Sequence, residues 1–586
     1  MKRTVVWGDD FTRLDPIRRR ALDQGAAAKP PVRLRAGRNM HVSFQLSVGP
    51  LARDEAATVE PGSLAGPGKN AIAGRQADVF AQWYREAEGR WYPEICVPQR
   101  ATGGSTPAFR KLNGVPNARY AGFWVDVFVP ADARPGRYVG EYSVRVGPSV
   151  LSLPVELDVA APVLSHESCL DMSMNNYADG ISKGWSDLWN DPGHLMTAKY
   201  RRVEKNVFRT AHEHRGFLHY LPYGHSGDVR KTFAPPLTGE GHRRRVASWT
   251  DWDRHFGGYL DGSAFKDTRR GPHPVKRFWL PLNLCWPSDF LKFGTPGYEA
   301  EWRAVGKDMV EHFKKKRWTK TSFDMFPNHK QRFMFFPWDA EEARFIEDNE
   351  LQYYLGSLWQ GTFDRKSTGP VRFDYTLGTT WLFDKDVRSD LTEFIDVFIG
   401  GGLDVAYARS AVPGLLKKNR QLWPCLNSGD MTQSVRAAAF PPLMVWMQDA
   451  TGYMPYWSTM GGWGESGWRD GSDKGSLAFL YCGSVLDSEE TFASVRLKVQ
   501  RNMLQAVDLL HMAADKTAGG KAAVKRRVNQ ALRMPASGWY PSRKADSGDT
   551  DRFTEEPPLA GWRKFDSEQY RGVKNLALTL AAGGKQ

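Results

Sequence analysis

Phe123-Trp124-Val125-Asp126-Val127-Phe128-Val129 is a run of β-branched and aromatic residues, and Pro130-Ala131-Asp132-Ala133-Arg134-Pro135-Gly136 separates it from Arg137-Tyr138-Val139-Gly140. Proline presets φ and glycine accepts positive φ, so Pro135-Gly136 suits a tight turn between two strands. Working outward, Asn39 to Leu46, Tyr138 to Val146 and Val150 to Val159 repeat the pattern between Gly and Pro breaks. Short alternating segments at these intervals predict an antiparallel β-sandwich over residues 1–160, an accessory domain.

After Ala160-Ala161-Pro162 the rhythm changes to short apolar runs separated by helical stretches. Candidate strands are Leu170 to Met174, Gly216 to Leu221, Phe278 to Leu284, Phe333 to Trp338, Val371 to Tyr375, Asp396 to Gly400, Val405 to Ala408 and Gly452 to Trp457. Helical segments fall near 192–214, 298–316, 341–358 and 434–450; in the third, Leu351, Tyr354, Leu355 and Leu358 form an i, i+3, i+4, i+7 stripe. Strands alternating with helices predict a (β/α)₈ TIM-like barrel over residues 161–470. A doubly wound sheet has the same rhythm, but neither GxGxxG nor a P-loop follows the first strand. Residues 471–586 read as a small extension: a strand-like Gly475 to Tyr481, a helix with Val495, Val499, Met503, Ala506 and Leu510 on one face, and a basic, Gly/Ser/Pro-rich, peripheral and mobile end. The fold class is therefore α/β multidomain.

The 586 residues give room for about three domains at ~100–200 residues each. Aromatic residues are 12% of the chain, which excludes wholesale disorder. No apolar run approaches the ~20 residues of a membrane span, and the mean hydropathy is −0.51. The net charge of +14 favours anionic partners, and an anionic glycan fits it; the basic residues are spread along the chain, which argues against nucleic acid. The five cysteines are far apart and without CxxC, so neither a zinc site nor a disulfide framework is signalled. No cofactor is implied. The start, Met1-Lys2-Arg3-Thr4-Val5-Val6-Trp7, has no apolar core of a secretory signal.

Chemistry in a barrel sits at the carboxyl ends of its strands. There Arg332-Phe333-Met334-Phe335-Phe336-Pro337-Trp338 runs into Asp339, Glu341 and Glu342. Glycoside hydrolysis needs one carboxyl group to protonate the leaving oxygen and a second to stabilise or attack the anomeric centre. Crowded acids also separate one another's pKa values. Acids in the first turn of a helix are equally what its dipole favours. Asn283 and Trp286 follow the third candidate strand, Tyr456 and Trp457 close the last, and Arg436 precedes it; such groups suit sugar hydroxyls and the C–H faces of a sugar ring. Asp261 lies in the long Gly/Pro/Arg-rich stretch from Tyr223 to Pro274. Each of these side chains could also be core or surface. His212 and His214, two apart, do not share a helix face, so no metal site is read there.

Taken in order, the Phe123 to Gly140 segment, Leu260-Asp261-Gly262-Ser263-Ala264-Phe265, Phe278-Trp279-Leu280-Pro281-Leu282-Asn283, Trp338-Asp339, Arg436 with Trp446, Gly452 to Trp457, and Gly475-Ser476-Leu477 ahead of Arg496 resemble the bacterial DUF4091 proteins related to glycoside hydrolase family 123. The resemblance spans roughly residues 120–510. It implies a β-sandwich followed by a (β/α)₈ hydrolase of the retaining β-N-acetylgalactosaminidase type, in which the substrate's acetamido group is the nucleophile. By the same resemblance Glu341 falls on the carboxylate that orients the acetamido group and Glu342 on the general acid/base. The family's Asp-Glu-Pro reads Glu341-Glu342-Ala343 here, and Asp339 with Glu341 forms a second Asp-x-Glu pattern. A longer side chain at Glu341 moves its carboxylate outward by about one methylene. The expectation is a glycoside hydrolase acting on a carbohydrate, with Glu342, Glu341 and Asp339 catalytic; a non-catalytic glycan-binding protein on the same scaffold is the alternative.

Overall fold

The computed structural model describes residues 2–583 apart from 24, 53–54, 103–114, 178–179, 192, 224–228, 328–345, 380–392, 402–413, 415–416, 419, 427–428, 456–459, 461–467, 469–477, 540–560 and 562. The N-terminal strands are β1 (Thr4–Asp9), β2 (Val32–Arg38), β3 (Met40–Gly49), β4 (Ala57–Glu60), β5 (Leu64–Ala65), β6 (Ala71–Ile72), β7 (Ala77–Ala87), β8 (Arg90–Pro98), β9 (Ala121–Val129), β10 (Gly136–Val146) and β11 (Ser149–Val163). They form two sheets. One runs β2-β11-β10-β5-β6, with β4 on β10; the other begins β1-β3-β9-β7-β8 and is antiparallel throughout. Alternate residues of both, among them Phe44, Leu46, Val125, Val127, Tyr142, Val144, Val155 and Leu157, are buried in one core, and Phe44 meets Tyr142 across it with ring centroids 6.3 Å apart. The expected turn joins β9 to β10, with Gly136 at φ 139°.

Beyond β11 come β12 (Asp171–Tyr177), helix α1 (Ala198–Glu213), β13 (Phe217–Leu221), a small hairpin of β14 (Leu237–Thr238) and β15 (Arg245–Val246), α2 (Thr250–Leu260), β16 (Arg277–Trp279), α3 (Pro296–Lys316), β17 (Ser322–Met325), α4 (Ile346–Thr362), β18 (Arg372–Thr379), β19 (Val397–Gly401), β20 (Gln421–Cys425), α5 (Arg436–Met447) and β21 (Gly452–Tyr453). β16-β17-β18-β19-β20 is a parallel sheet, and β13-β12-β21 is a second one. A parallel bridge from Cys425 to Met454 links the two. β13 and β16 lie side by side, but no ladder joins them among the described residues, so hydrogen bonding does not close the expected barrel there.

Most sequence expectations map onto elements. Strands at Ser322–Met325 and Gln421–Cys425 were not anticipated, because Asp324 and Pro424 interrupt any apolar run. The candidate strands Phe333 to Trp338 and Val405 to Ala408 lie outside the described residues. Phe278 to Leu284 is a strand only through Trp279 and then turns.

The basic end after about residue 518, expected to be peripheral, is packed into the molecule where it is described, and the chain from Leu480 leads into it. β22 (Leu480–Cys482) and β23 (Thr491–Ser494) extend the first N-terminal sheet through β8. Helices α6 (Val495–Ala514), α7 (Gly520–Leu532) and α8 (Ser567–Ala581) pack together, with Val524, Val528, Tyr570 and Val573 buried. All five cysteines are free, Cys96 and Cys482 buried and the others half-buried. No helix among the described residues is long and apolar enough to cross a membrane.

Candidate active site

Successive side chains of a strand point to opposite faces. On the parallel strands Leu218, Tyr220, Phe278, Phe323, Tyr375 and Phe398 face the surrounding helices in the main core. Their neighbours Phe217, Leu221, Trp279, Val397, Ile399 and Trp423 turn to the other face and, with Tyr223, Phe326 and Met454, make a separate apolar cluster. Set into that inner face are buried polar residues: Asp171, Ser173, Asn175, His219, Arg277, Asp324, Asp374 and Thr376.

At the amino ends of the strands Arg277 gathers three carboxylates. Its Nε donates to Asp171 at 2.9 Å, and its Nη1 donates to Asp324 at 2.9 and 3.0 Å and to Asp374 at 3.0 Å. The guanidinium also lies 4.7 Å from the centroid of the Trp423 ring. Lys276 pairs with Asp171, and Arg372 with Asp374 at 2.9 Å. Burial pushes Asp324 up to about 8, against the pull of Arg277, whereas Asp171 and Asp374 stay below the usual range because their cations outweigh burial. Burial, with the Asp374 charge beside it, thus favours a proton on Asp324 at neutral pH.

Midway along, His219 is fully buried, stacked on Trp279 at 3.8 Å between ring centroids, with Nδ1 3.2 Å from Ser173 Oγ. Burial, then the Arg277 charge, lowers it to about 3, so it is neutral. Its Nε2, Trp279 Nε1 and Thr376 Oγ1 have no hydrogen-bond partner among the described residues. Sequence reasoning missed this polar row. Its only signal was a polar residue at every second position of a strand, as in Asp171-Met172-Ser173-Met174-Asn175.

At the carboxyl ends, Tyr223 Oη donates to the Phe326 carbonyl at 2.5 Å and to that of Leu282 at 3.4 Å, tying the exits of β13, β16 and β17 together. Asn283 is buried. Its Oδ1 accepts from Cys285 N at 2.6 Å and its N–H donates to the Trp286 carbonyl at 2.9 Å, so it shapes a tight turn that leaves Trp286 half-buried at this rim. The structure therefore brings Asn283 and Trp286 together.

Asp261 is elsewhere. It follows α2, which leaves the carboxyl end of β13 and returns to the amino end of β16, where Val275 N–H meets the Tyr259 carbonyl; its carboxylate caps Ser263 N at 2.8 Å and is exposed. Arg436 opens α5 and donates to the Phe565 carbonyl and, at 3.1 Å, to Ser434 Oγ. Asp339, Glu341, Glu342, Tyr456 and Trp457 lie outside the described residues. Among the described residues no group of three or more His, Cys, Asp or Glu is placed to hold a metal ion.

Neither a family model nor a curated protein sequence matches this chain. A solved structure does: a family 123 glycoside hydrolase from Clostridium perfringens, studied for glycolipid glycan hydrolysis, superposes at a TM-score of 0.66 over 99% of this chain and 98% of its own, at 10% identity. The chain shares its fold with that family 123 glycoside hydrolase. Weaker likenesses are to a putative α-galactosidase from Bacteroides fragilis (TM-score 0.26, 8% identity, 81% of this chain and 78% of that one) and to β-glucuronidase 3 of Bacteroides uniformis (0.29, 9%, 82% and 53%), scores too low to bear on the fold. The family 123 likeness covers the N-terminal sheets, the parallel strands and the final helices alike.

Proposed function

We propose that the protein is a glycoside hydrolase that cleaves the glycosidic bonds of an oligo- or polysaccharide by carboxylate acid/base catalysis. On this reading residues 161–470 are a (β/α)₈ barrel with an open seam between β13 and β16, residues 1–160 a β-sandwich beside it, and residues 471–586 an extension. The observation that carries the reading is strand order. β12, β13, β16, β17, β18, β19, β20 and β21 neighbour one another in the order in which the chain makes them, around one inner face. Barrel enzymes draw their reacting groups from the carboxyl ends of such strands. β17 is the fourth of them, and the chain beyond Met325 carries Asp339, Glu341 and Glu342 before α4 begins at Ile346.

We assign Glu342 as the general acid/base and Glu341 or Asp339 as its partner carboxylate, with Trp286, Tyr456 and Trp457 offering ring faces to the sugar and Asn283 holding the turn that presents Trp286. The test is release of sugar from aryl glycosides and from neutral and anionic polysaccharides, with Glu342→Gln alongside. Loss of an acid/base contributes a factor of about 10²–10⁴, so release by wild type and its fall by that factor in the variant are expected. Equal release by both moves the acid to Glu341 or Asp339. No release by either across the panel, with retained glycan binding, identifies a binding protein instead.

A further inference from the structure

Away from the carboxyl ends, a cavity of about 140 Å³ opens where the amino ends of β12, β13 and β16 converge, at the seam that no ladder crosses. Ser168, Leu170, Gly216, Leu218, Val275 and Lys276 form its walls, and Arg270, Arg215, His166, His273 and Lys320 supply its charge and ring nitrogens.

Most of the charge there is balanced. Arg215 is bound by Asp508 at 2.7 Å, a carboxylate that also accepts from Ser168 Oγ at 3.1 Å and Cys169 N at 2.7 Å. Lys276 is bound by Asp171. At the mouth Lys320 and Glu167 are exposed, opposite in sign and in no ion pair among the described residues. Arg270 is the exception. Among the described residues its two terminal nitrogens donate to the backbone carbonyls of His212 and His166, its Nε has no acceptor, and Asp508 and Glu213 reach it through space. Arg270 is half-buried and no carboxylate among the described residues bonds it, and burial with the neighbouring Arg215 lowers it to about 9. Beside it His166 and His273 stack at 4.1 Å between ring centroids, with His166 Nε2 3.4 Å from Asn39 Nδ2.

We propose that this cavity binds a small oxyanion, a phosphate or sulfate group, as the counter-ion of Arg270, with Lys320 and the ring of His273 as further donors. The volume supports a bare oxyanion rather than a sugar, since ligand pockets for larger molecules run to ~300–1,000 Å³. Bound there, the anion bridges the starts of β13 and β16, which no ladder joins among the described residues, and so clamps the seam. The site is independent of the proposed hydrolase activity and lies at the opposite ends of the strands.

The test is thermal unfolding of the whole protein in rising inorganic phosphate or sulfate at ionic strength held constant with sodium chloride. A specific site gives a saturable rise in Tm, because stabilisation follows the logarithm of ligand over Kd, and Arg270→Met weakens the half-saturation concentration about ten-fold or more. Exclusion of these salts from the protein surface gives a rise without saturation, shared by wild type and variant, and that result overturns the proposal, as does no rise at all. Should Arg270→Met fail to fold, Lys320→Met, an exposed position, is expected to raise the half-saturation concentration at least about three-fold through lost charge, and an unchanged half-saturation concentration overturns the site. Glucose 6-phosphate distinguishes sources: saturation below that of inorganic phosphate identifies the anion as part of a larger ligand, and response to the inorganic ions alone identifies a free ion.

Discussion

His219 and Asp324 both lie on the inner face of the parallel strands and carry opposite pH signatures. His219 is held near 3, below its unfolded value of about 6.5, so the stability it contributes is full above about 6.5 and is lost as pH falls towards 3. His219→Gln is expected to flatten the fall in stability between about pH 6.5 and 4, and to cost about 1–2 kcal/mol at neutral pH through the lost stack on Trp279; urea unfolding across that range measures both. Asp324 is raised to about 8, above its unfolded value of about 4, so its contribution is present below about 4 and is lost as pH rises through about 8. Asp324→Asn keeps an acceptor for Arg277 and removes the titration, so the variant is expected to match or exceed wild-type stability at pH 8. A variant that loses more stability than wild type between pH 5 and 8 would contradict the protonated Asp324.

At the scale of the element, α6 departs furthest from its sequence pattern. Val495, Val499, Met503, Ala506 and Leu510 mark one apolar face, and a solvated opposite face is the ordinary consequence. Here that face is buried too: Lys498 and Arg501 lie against the N-terminal sheet, where Asp126 of β9 accepts from Lys498 at 2.7 Å and from Arg501 at 2.6 and 2.9 Å, and Arg496 binds Glu94 of β8. Against the upward push of burial, Arg501 and Lys498 hold Asp126 well below the usual carboxylate range. Removing one partner of a buried pair leaves the other uncompensated, so Asp126→Ala is expected to destabilise by about 3–5 kcal/mol, read as a lowered urea midpoint, with turnover by the proposed hydrolase unchanged per folded molecule. Loss below about 1 kcal/mol would show that water reaches this interface. By contrast α4 obeys its pattern: Leu351, Leu355 and Leu358 are buried as the i, i+4, i+7 stripe requires.

Over the whole molecule, the N-terminal strands were legible because tight turns and β-branched residues act within a few positions of each other. The helices α1, α3, α5 and α6 were legible because amphipathic or apolar periodicity recurs over three or more turns. The short strands β17 and β20 were not, since four or five residues that include Asp324 or Pro424 show no period. Of the candidate site, Asn283 and Trp286 were readable at a strand exit, while Tyr223 was not, because its partners are backbone carbonyls 59 and 103 residues away.

What the sequence by itself determined is local: the turn at Pro135-Gly136, the alternation of strands and helices, the helical stripes, and the three acids placed between β17 and α4. Only the tertiary structure decided which strands neighbour which, that residues after Leu480 complete the first sheet, and that Arg277 meets acids 47, 97 and 106 residues away. The physical reason is range. Propensity and periodicity act over one or two turns of chain, whereas a buried charge chooses its partner by the cost of leaving it unpaired, and that partner is fixed only when the strands come together.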